Sequence, residues 1–219
     1  MEAAGKPFLL YHIQRIEKTG LPIIIATTDN DSEKPIVDFC ESRNLKYYKG
    51  DENDVLSRYN EAAKKFNIST IIRVTSDCPL IDPEIILKGL AEYQKQPKNT
   101  YYSNTLERTY PRGMDYEIFS YDLLQESFEN ATKQQDREHV TPYIWRNSSG
   151  NVNIINDLQP DDSSKYRITL DTREDQELIT KLIEEYNADE LDCSGIIEIL
   201  KNYPYLADIN KLVEQKKIE

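Results

Sequence analysis

Two aspartates follow β-branched segments of this sequence and are candidate ligands for a divalent metal ion. Asp77 comes after the segment Thr70–Thr75, and Asp171 comes after Lys165–Leu170. If these segments are neighbouring parallel strands, both carboxylates reach the carboxyl edge of the sheet, where such folds bind their ligands. With phosphate oxygens they would hold Mg²⁺, which neutralises a nucleoside triphosphate and orients attack on its α-phosphorus. Either aspartate alone is more often an N-cap or loop residue, so the hypothesis depends on the pair.

A second pair of acids, Asp115 and Glu117, flanks Tyr116. This pattern resembles the D-x-D/E metal motif of glycosyltransferases, but the same alternation places two acids on one face of an ordinary strand. His139 could serve as a general base, since the reference pKa of histidine is about 6.5, or it could be a hydrogen-bonded helix residue. We expect His12 to be structural.

Three arginines, Arg108, Arg112 and Arg137, could bind phosphate or carboxylate groups, although surface arginines are usually just solvated. The sequence contains neither G-x-G-x-x-G nor G-x-x-x-x-G-K-[ST], so the common glycine-rich phosphate loops are absent from it. No serine stands in a G-x-S-x-G context, which argues against serine-nucleophile hydrolysis.

Short β-branched segments alternate with amphipathic ones, which predicts βα units around a parallel sheet. Leu21–Thr27 is almost continuously apolar, as is typical of a strand buried on both faces. Helices are predicted over Tyr121–Asn130 and Asp136–Trp145, and Pro142 should kink or shorten the second. The aromatic stretch Tyr101–Phe119, which contains proline and glycine, is interpreted as a strand with an extended excursion.

We therefore predict an α/β fold with a mostly parallel, Rossmann-like sheet flanked by helices. Residues 1–219 should form one domain, in which 101–145 make an excursion for dimerisation or acceptor binding. Thr172 and Asp175 resemble a capping box at the start of a helix. The chain opens with an amphipathic helix, Pro7–Lys18, ahead of any predicted strand.

Composition limits the possible functions. Hydrophobic residues make up 38% of the 219 residues, enough for a substantial core. The net charge of −12 argues against nucleic acid as a partner, because that binding needs basic surfaces. No apolar run is long enough to span a membrane. The 3 cysteines are far apart and never form a C-x-x-C pair, which indicates a reducing compartment and predicts a cytoplasmic protein.

Six segments, in order, resemble the cytidylyltransferase family of spore coat polysaccharide biosynthesis, whose relatives are the acylneuraminate and 3-deoxy-manno-octulosonate cytidylyltransferases. The segments are Ala4–Pro7, Gly50–Tyr59, Arg73–Pro83, Tyr102–Asn104, Arg137–Tyr143 and Arg167–Thr172. The resemblance runs from about residue 4 to the C-terminus. It implies a nucleotidyltransferase fold and a homodimer that consumes CTP and a sugar or sugar-acid acceptor. The products would be pyrophosphate and a CMP- or CDP-linked sugar.

The same resemblance implies roles for individual residues. Asp77 and Asp171 would be the catalytic pair that holds Mg²⁺. The implied nucleotide-binding residues are Asp54, Arg58, Arg73 and Thr75. The implied acceptor-binding residues are Asn104, Asp115, Glu117, Arg137 and His139.

The sequence departs from the family pattern at its start. Family members begin with a strand and a loop resembling Q-A-R-M-x-S-x-R-L-P-x-K, whose basic residues grip the triphosphate, and this sequence begins just after that loop. Because charge neutralisation dominates such transfers, we expect the 219-residue chain to bind CTP weakly and to turn over slowly. Two alternatives remain open: a glycosyltransferase using Asp115 and Glu117, and a non-catalytic subunit that keeps the fold.

Overall fold

The computed structural model describes residues 1–214, in which strands and helices alternate along most of the chain. The strands are β1 (Glu2–Ala3), β2 (Lys6–Pro7), β3 (Ile24–Thr28), β4 (Lys46–Gly50), β5 (Thr70–Arg73), β6 (Thr100–Ser103), β7 (Glu117–Ser120) and β8 (Asn153–Asn156). The helices are α1 (Phe8–Glu17), α2 (Lys34–Ser42), α3 (Val55–Lys65), α4 (Pro83–Tyr93), α5 (Tyr121–Asn130), α6 (Gln134–His139), α7 (Pro142–Trp145), α8 (Arg173–Tyr186), α9 (Cys193–Asn202) and α10 (Pro204–Asp208). The predicted α/β class is confirmed. No helix in this part of the chain has the length and apolar character needed to cross a membrane.

More of the strand pairs are antiparallel than the predicted, mostly parallel sheet would have. β3 and β4 form a parallel pair, and a separate four-stranded sheet has the order β5-β7-β6-β8. In that sheet β7 runs antiparallel to both neighbours, whereas β6 and β8 are parallel. The predicted excursion is therefore shorter than 101–119, because both of its ends are central strands. A period-two pattern fits either strand direction, so it could not reveal this pairing.

The segment Lys165–Leu170 is not a regular strand, contrary to prediction. It makes one isolated parallel bridge, between Arg112 and Arg167. Lys165 lies in a turn, whereas the rest, the extended segment 166–170, is bonded to two loops: Ile168 N donates to Arg112 O at 2.8 Å, and Leu170 N donates to Asp77 O at 2.8 Å. The neighbouring backbone here belongs to two loops instead of a strand, so a continuous ladder of hydrogen bonds cannot form.

Local signals placed several helices correctly. α5 has the predicted bounds, with the Ser120 side chain accepting a hydrogen bond from Leu123 N as its N-cap. Pro142 divides the second predicted helix into α6 and α7, since proline is tolerated in the first turn of a helix but not in its interior. The capping box of Thr172 and Asp175 is confirmed at the start of α8.

β3 is less buried than we predicted from the apolar character of Leu21–Thr27. Of its residues only Thr27 is buried. A groove of about 460 Å³ lies between β3 and β5 and is lined also by residues of α1, α3 and α4. Within residues 1–214, β3 pairs only with β4 and β5 only with β7, so each strand has one unpaired edge.

Gly89 lets α4 pack closely on the four-stranded sheet. A Cβ at this position would overlap the hydroxyl and ring of Tyr116, which is buried beneath the helix. We expect overpacking in Gly89→Ala to lower the free energy of unfolding by about 1–3 kcal/mol. The higher helix propensity of alanine offsets roughly 1 kcal/mol of that loss. Urea denaturation measures the change, with exposed Lys88→Ala on the same helix as control. An unchanged or raised unfolding free energy in Gly89→Ala would contradict this packing.

Candidate functional site

Asp77 lies in the loop after β5, directly against the extended segment that leads to Asp171. Leu170 N donates to the Asp77 carbonyl at 2.8 Å, and the Thr169 hydroxyl donates to Asp77 Oδ2 at 3.1 Å. Asp171 is the next residue after Leu170. The two predicted metal ligands therefore come from backbone segments that are bonded to each other, although the residues are far apart in sequence.

Asp171 immediately precedes the N-cap of α8 and is held by an arginine four residues earlier. Arg167 Nη2 donates to Asp171 Oδ2 at 2.6 Å, and the Asp171 side chain is 45% exposed. In an extended segment alternate side chains share a face, so Arg167, Thr169 and Asp171 lie on one side of it. Thr169 contacts Asp77 on that side.

Behind this face, Arg167 is held by Asp175, which is fully buried. Arg167 Nε donates to Asp175 Oδ1 at 2.9 Å, and Asn210 Nδ2 donates to the same oxygen at 2.7 Å. Burial alone would raise the pKa of Asp175, but these hydrogen bonds outweigh it and the pKa is lowered. Sequence reasoning assigned Asp175 only to the capping box. In the sequence, Arg167, Asp171 and Asp175 follow one another at intervals of four residues. That spacing was the one sign that these three side chains could interact.

Asp115, like Asp77, lies close enough to Cys78 for its charge to act on that residue. Burial, followed by the charges of Asp77 and Asp115, raises the pKa of the Cys78 thiol, so both carboxylates are near this buried residue. Arg108 binds Asp115 in a bidentate pair, with distances of 2.5 and 2.8 Å. His12, as expected, is structural: it is buried, and its Nδ1 lies 2.8 Å from the Cys78 carbonyl.

Glu117 does not join Asp115 in a shared metal motif. It is buried in β7, forms an ion pair with Arg73 from β5, and accepts hydrogen bonds from Tyr101 Oη at 2.5 Å and Thr141 Oγ1 at 2.6 Å. Its oxygens are therefore used inside the protein. These pairs give no support to a D-x-D/E metal motif, and the acceptor contact of Glu117 stays a prediction.

Asn104, whose contact with an acceptor stays a prediction, also pairs with other groups of the protein. It is fully buried, its Nδ2 donates to Met114 O at 2.7 Å, and its Oδ1 accepts from Tyr116 N at 3.0 Å. These bonds close the loop between β6 and β7. Thr75, predicted to bind nucleotide, has its hydroxyl 3.5 Å from Cys78 Sγ.

The remaining predicted residues form a second group near the start of α3. Asp54 caps this helix by accepting a hydrogen bond from Ser57 N at 3.0 Å, and Arg137 binds it through Nε at 3.0 Å. Arg58 Nη1 donates to the carbonyl of Asp51 at 2.9 Å. The predicted nucleotide group and acceptor group are therefore joined by ion pairs, Arg73 with Glu117 and Asp54 with Arg137.

His139 is half-buried at the end of α6 and hydrogen-bonds to no other side chain among residues 1–214. The next residue, Val140, has φ 73° and ψ −53°, and Thr141 N donates back to His139 O at 2.9 Å. A β-branched residue in this region is strained by about 1–3 kcal/mol. The turn places Thr141 on the Glu117 carboxylate, which offsets part of that strain.

The donor set at Asp77 and Asp171 fits magnesium in its chemistry. Both are carboxylates, one half-buried and one half-exposed. No group of three or more His, Cys, Asp or Glu side chains in the described part of the chain could hold a metal ion by itself. Magnesium sites of this kind use one or two carboxylates and complete the shell with phosphate oxygens and water, so two carboxylates suffice.

Known proteins resemble this chain over almost its whole length. The profile of the Cytidylyltransferase family matches residues 2–218. An uncharacterised protein of Methanocaldococcus jannaschii is 34% identical over 211 residues, covering 95% of this chain and 84% of that protein. The spore coat polysaccharide biosynthesis protein SpsF of Bacillus subtilis is 29% identical over 187 residues, covering 83% of this chain and 75% of that protein.

A solved structure agrees with this assignment. The cytidylyltransferase from Leptospira borgpetersenii superimposes with a TM-score of 0.88 at 26% identity, covering 99% of this chain and 91% of that one. The sequence profile, the relatives and the fold therefore point the same way, and the two aspartates lie where the extended segment meets the loop after β5. The chain belongs to the cytidylyltransferase family.

Proposed function

We propose that this enzyme transfers a cytidylyl group from CTP to a hydroxyl of a sugar or sugar acid, with Mg²⁺ held by Asp77 and Asp171. The observation that supports this most is the hydrogen bond from Leu170 N to the Asp77 carbonyl, 2.8 Å long, which sets the two aspartate-bearing segments side by side. Two carboxylates on neighbouring segments suit an ion that also binds a triphosphate. The similarity to SpsF supports an activated sugar for polysaccharide synthesis as the product.

In this reaction the acceptor oxygen forms a bond to the α-phosphorus while the bond to the pyrophosphate oxygen breaks, and the hydroxyl proton is released. Bound Mg²⁺ would supply charge neutralisation of the triphosphate and orient it. Thr169 keeps Asp77 in place by its hydrogen bond of 3.1 Å, and Arg167 holds Asp171 at 2.6 Å. The other predicted site residues remain candidates for substrate contacts: Asp54, Arg58, Arg73 and Thr75 for the nucleotide, and Asn104, Asp115, Glu117, Arg137 and His139 for the acceptor.

Pyrophosphate release tests the proposal directly. We expect release with CTP, Mg²⁺ and one member of a panel of sugar acids and sugar phosphates, and much less with ATP, GTP or UTP. The absence of pyrophosphate from every acceptor at high enzyme concentration would refute the proposal. Release of a nucleotide from a nucleotide sugar would indicate a glycosyltransferase.

We also propose a two-fold homodimer, the commonest closed assembly of soluble proteins. What supports it is the resemblance to the family, which implies a homodimer with segment 101–145 as the expected contact region. Light scattering at micromolar concentration measures the mass in solution. A mass equal to that of the 25.5 kDa chain would refute the dimer.

A further inference from the structure

A cavity of about 180 Å³ is lined by Arg167, which binds Asp171, and is rich in basic side chains. It lies between the extended segment at Arg167 and the C-terminal helices. Its polar lining consists of Arg112, Ser164, Lys165, Tyr166, Arg167, Asn210 and Lys211. No aspartate or glutamate of the described residues lines it, in a protein whose net charge is −12. The positive lining is therefore a local feature of this cavity.

Two of the basic residues are already neutralised. Arg167 is bound by Asp171 and Asp175 at 2.6 and 2.9 Å. Lys211 forms an exposed ion pair with Asp208 at 2.8 Å. These two therefore shape the wall of the cavity without adding much free positive charge.

Arg112 has no such partner. Its side chain is half-buried and makes no hydrogen bond or ion pair with any residue among 1–214, while its backbone is fixed by bonds to Tyr166 O at 3.0 Å and from Ile168 N at 2.8 Å. Burial, followed by the charge of Arg108, lowers the pKa of Arg112 against the opposing charge of Asp115, although an arginine stays protonated at neutral pH. A half-buried guanidinium among other cations is stabilised when an anion binds it.

Lys165 and Ser164 extend the same wall. Lys165 is exposed with its ammonium 5.0 Å from the centre of the Tyr166 ring, and no carboxylate binds it among the described residues. The Ser164 side chain is half-buried next to it. A guanidinium, an ammonium and a hydroxyl supply the donors that a carboxylate or phosphate group accepts.

We propose that this cavity is an oxyanion site in which Arg112, with Lys165, binds a carboxylate or phosphate group. Assigning that group to the acceptor rests on the proposed function. Arg112 is bridged to Arg167, and Asp77 is bonded to Leu170, three residues further along the extended segment. That separation is roughly 10 Å at the rise of an extended chain, about the length of a sugar with an anionic substituent.

Binding of inorganic phosphate tests the site without any enzymatic activity. We expect saturable binding by isothermal titration calorimetry, weakened at least roughly tenfold in Arg112→Gln because a charge-assisted contact is lost. Lys165→Gln should weaken it less. Arg43→Gln, an exposed arginine on the far end of α2, serves as the matched control and should bind phosphate as the unmodified protein does.

The affinity of the variants for phosphate decides whether the site exists. Unsaturable phosphate binding, or equal affinity in Arg112→Gln and the unmodified protein, overturns the site. If Arg112→Gln does not fold, as judged by thermal melting, Lys165→Gln and Arg112→Lys provide the comparison, and unchanged phosphate binding in both overturns the site.

If the acceptor supplies the anion, Arg112→Gln raises KM for the acceptor but not for CTP. Weaker inhibition by pyrophosphate instead identifies the product as the ligand. Phosphate binding without any pyrophosphate release would refute the proposed function and leave the site standing.

Discussion

Asp77→Asn and Asp171→Asn are each expected to lower the rate of pyrophosphate release from CTP by roughly two to three orders of magnitude, as the loss of one preorganised charge-stabilising group typically does. Asparagine keeps the shape of each side chain but removes the negative charge that would hold Mg²⁺. The Mg²⁺ concentration for half-maximal rate should rise in both variants. Because the two carboxylates act on one ion, the double variant should lose little more than either single one.

The control for this prediction is Asp161→Asn, an exposed loop aspartate with no partner within residues 1–214. It should retain the full rate. Thermal melting should show that all three variants are folded, since Arg167 keeps Asp175 when Asp171 is replaced. Full activity in Asp77→Asn and Asp171→Asn at every Mg²⁺ concentration would remove both aspartates from the proposed mechanism.

Gly113→Ala is expected to destabilise the fold and to reduce activity together. Gly113 has φ +99°, and a Cβ there would overlap the carbonyl oxygen of Ile168 and lie 2.7 Å from its carbonyl carbon. Overpacking costs roughly 1–3 kcal/mol and the left-handed backbone a similar amount. Since Ile168 belongs to the segment that carries Asp171, the clash also displaces one of the proposed metal ligands.

Gly150→Ala separates the two causes. Gly150 also has a positive φ, +78°, but a Cβ there meets nothing within 4 Å. Its unfolding free energy in urea therefore measures the backbone strain alone. The difference between the two variants measures the contact with Ile168, and pyrophosphate release should fall only in Gly113→Ala. Equal stability of the two variants would show that the chain around Gly113 relaxes without disturbing the site.

The sequence predicted structure best where the cause is local. α5 begins at Tyr121 because Ser120 caps it, Pro142 starts a new helix, and Thr172 with Asp175 forms a capping box. Each of these signals involves residues within about four positions of one another, so a single sequence contains all the information needed. Strand pairing has no such local signal, and β7 was consequently not recognised as the central antiparallel strand.

The candidate site shows the same division. The sequence by itself determined the family, through segments whose order and residue types match it, and it singled out Asp77 and Asp171. Only the tertiary structure decided how each acid is paired. Glu117 is taken up by Arg73, 44 residues away, Asp54 by Arg137, 83 residues away, and Thr169 reaches Asp77 across 92 residues. Such pairs form because the packing of strands and loops brings distant segments together. A buried carboxylate then needs a hydrogen-bonding partner, and that partner can come from any segment packed against it.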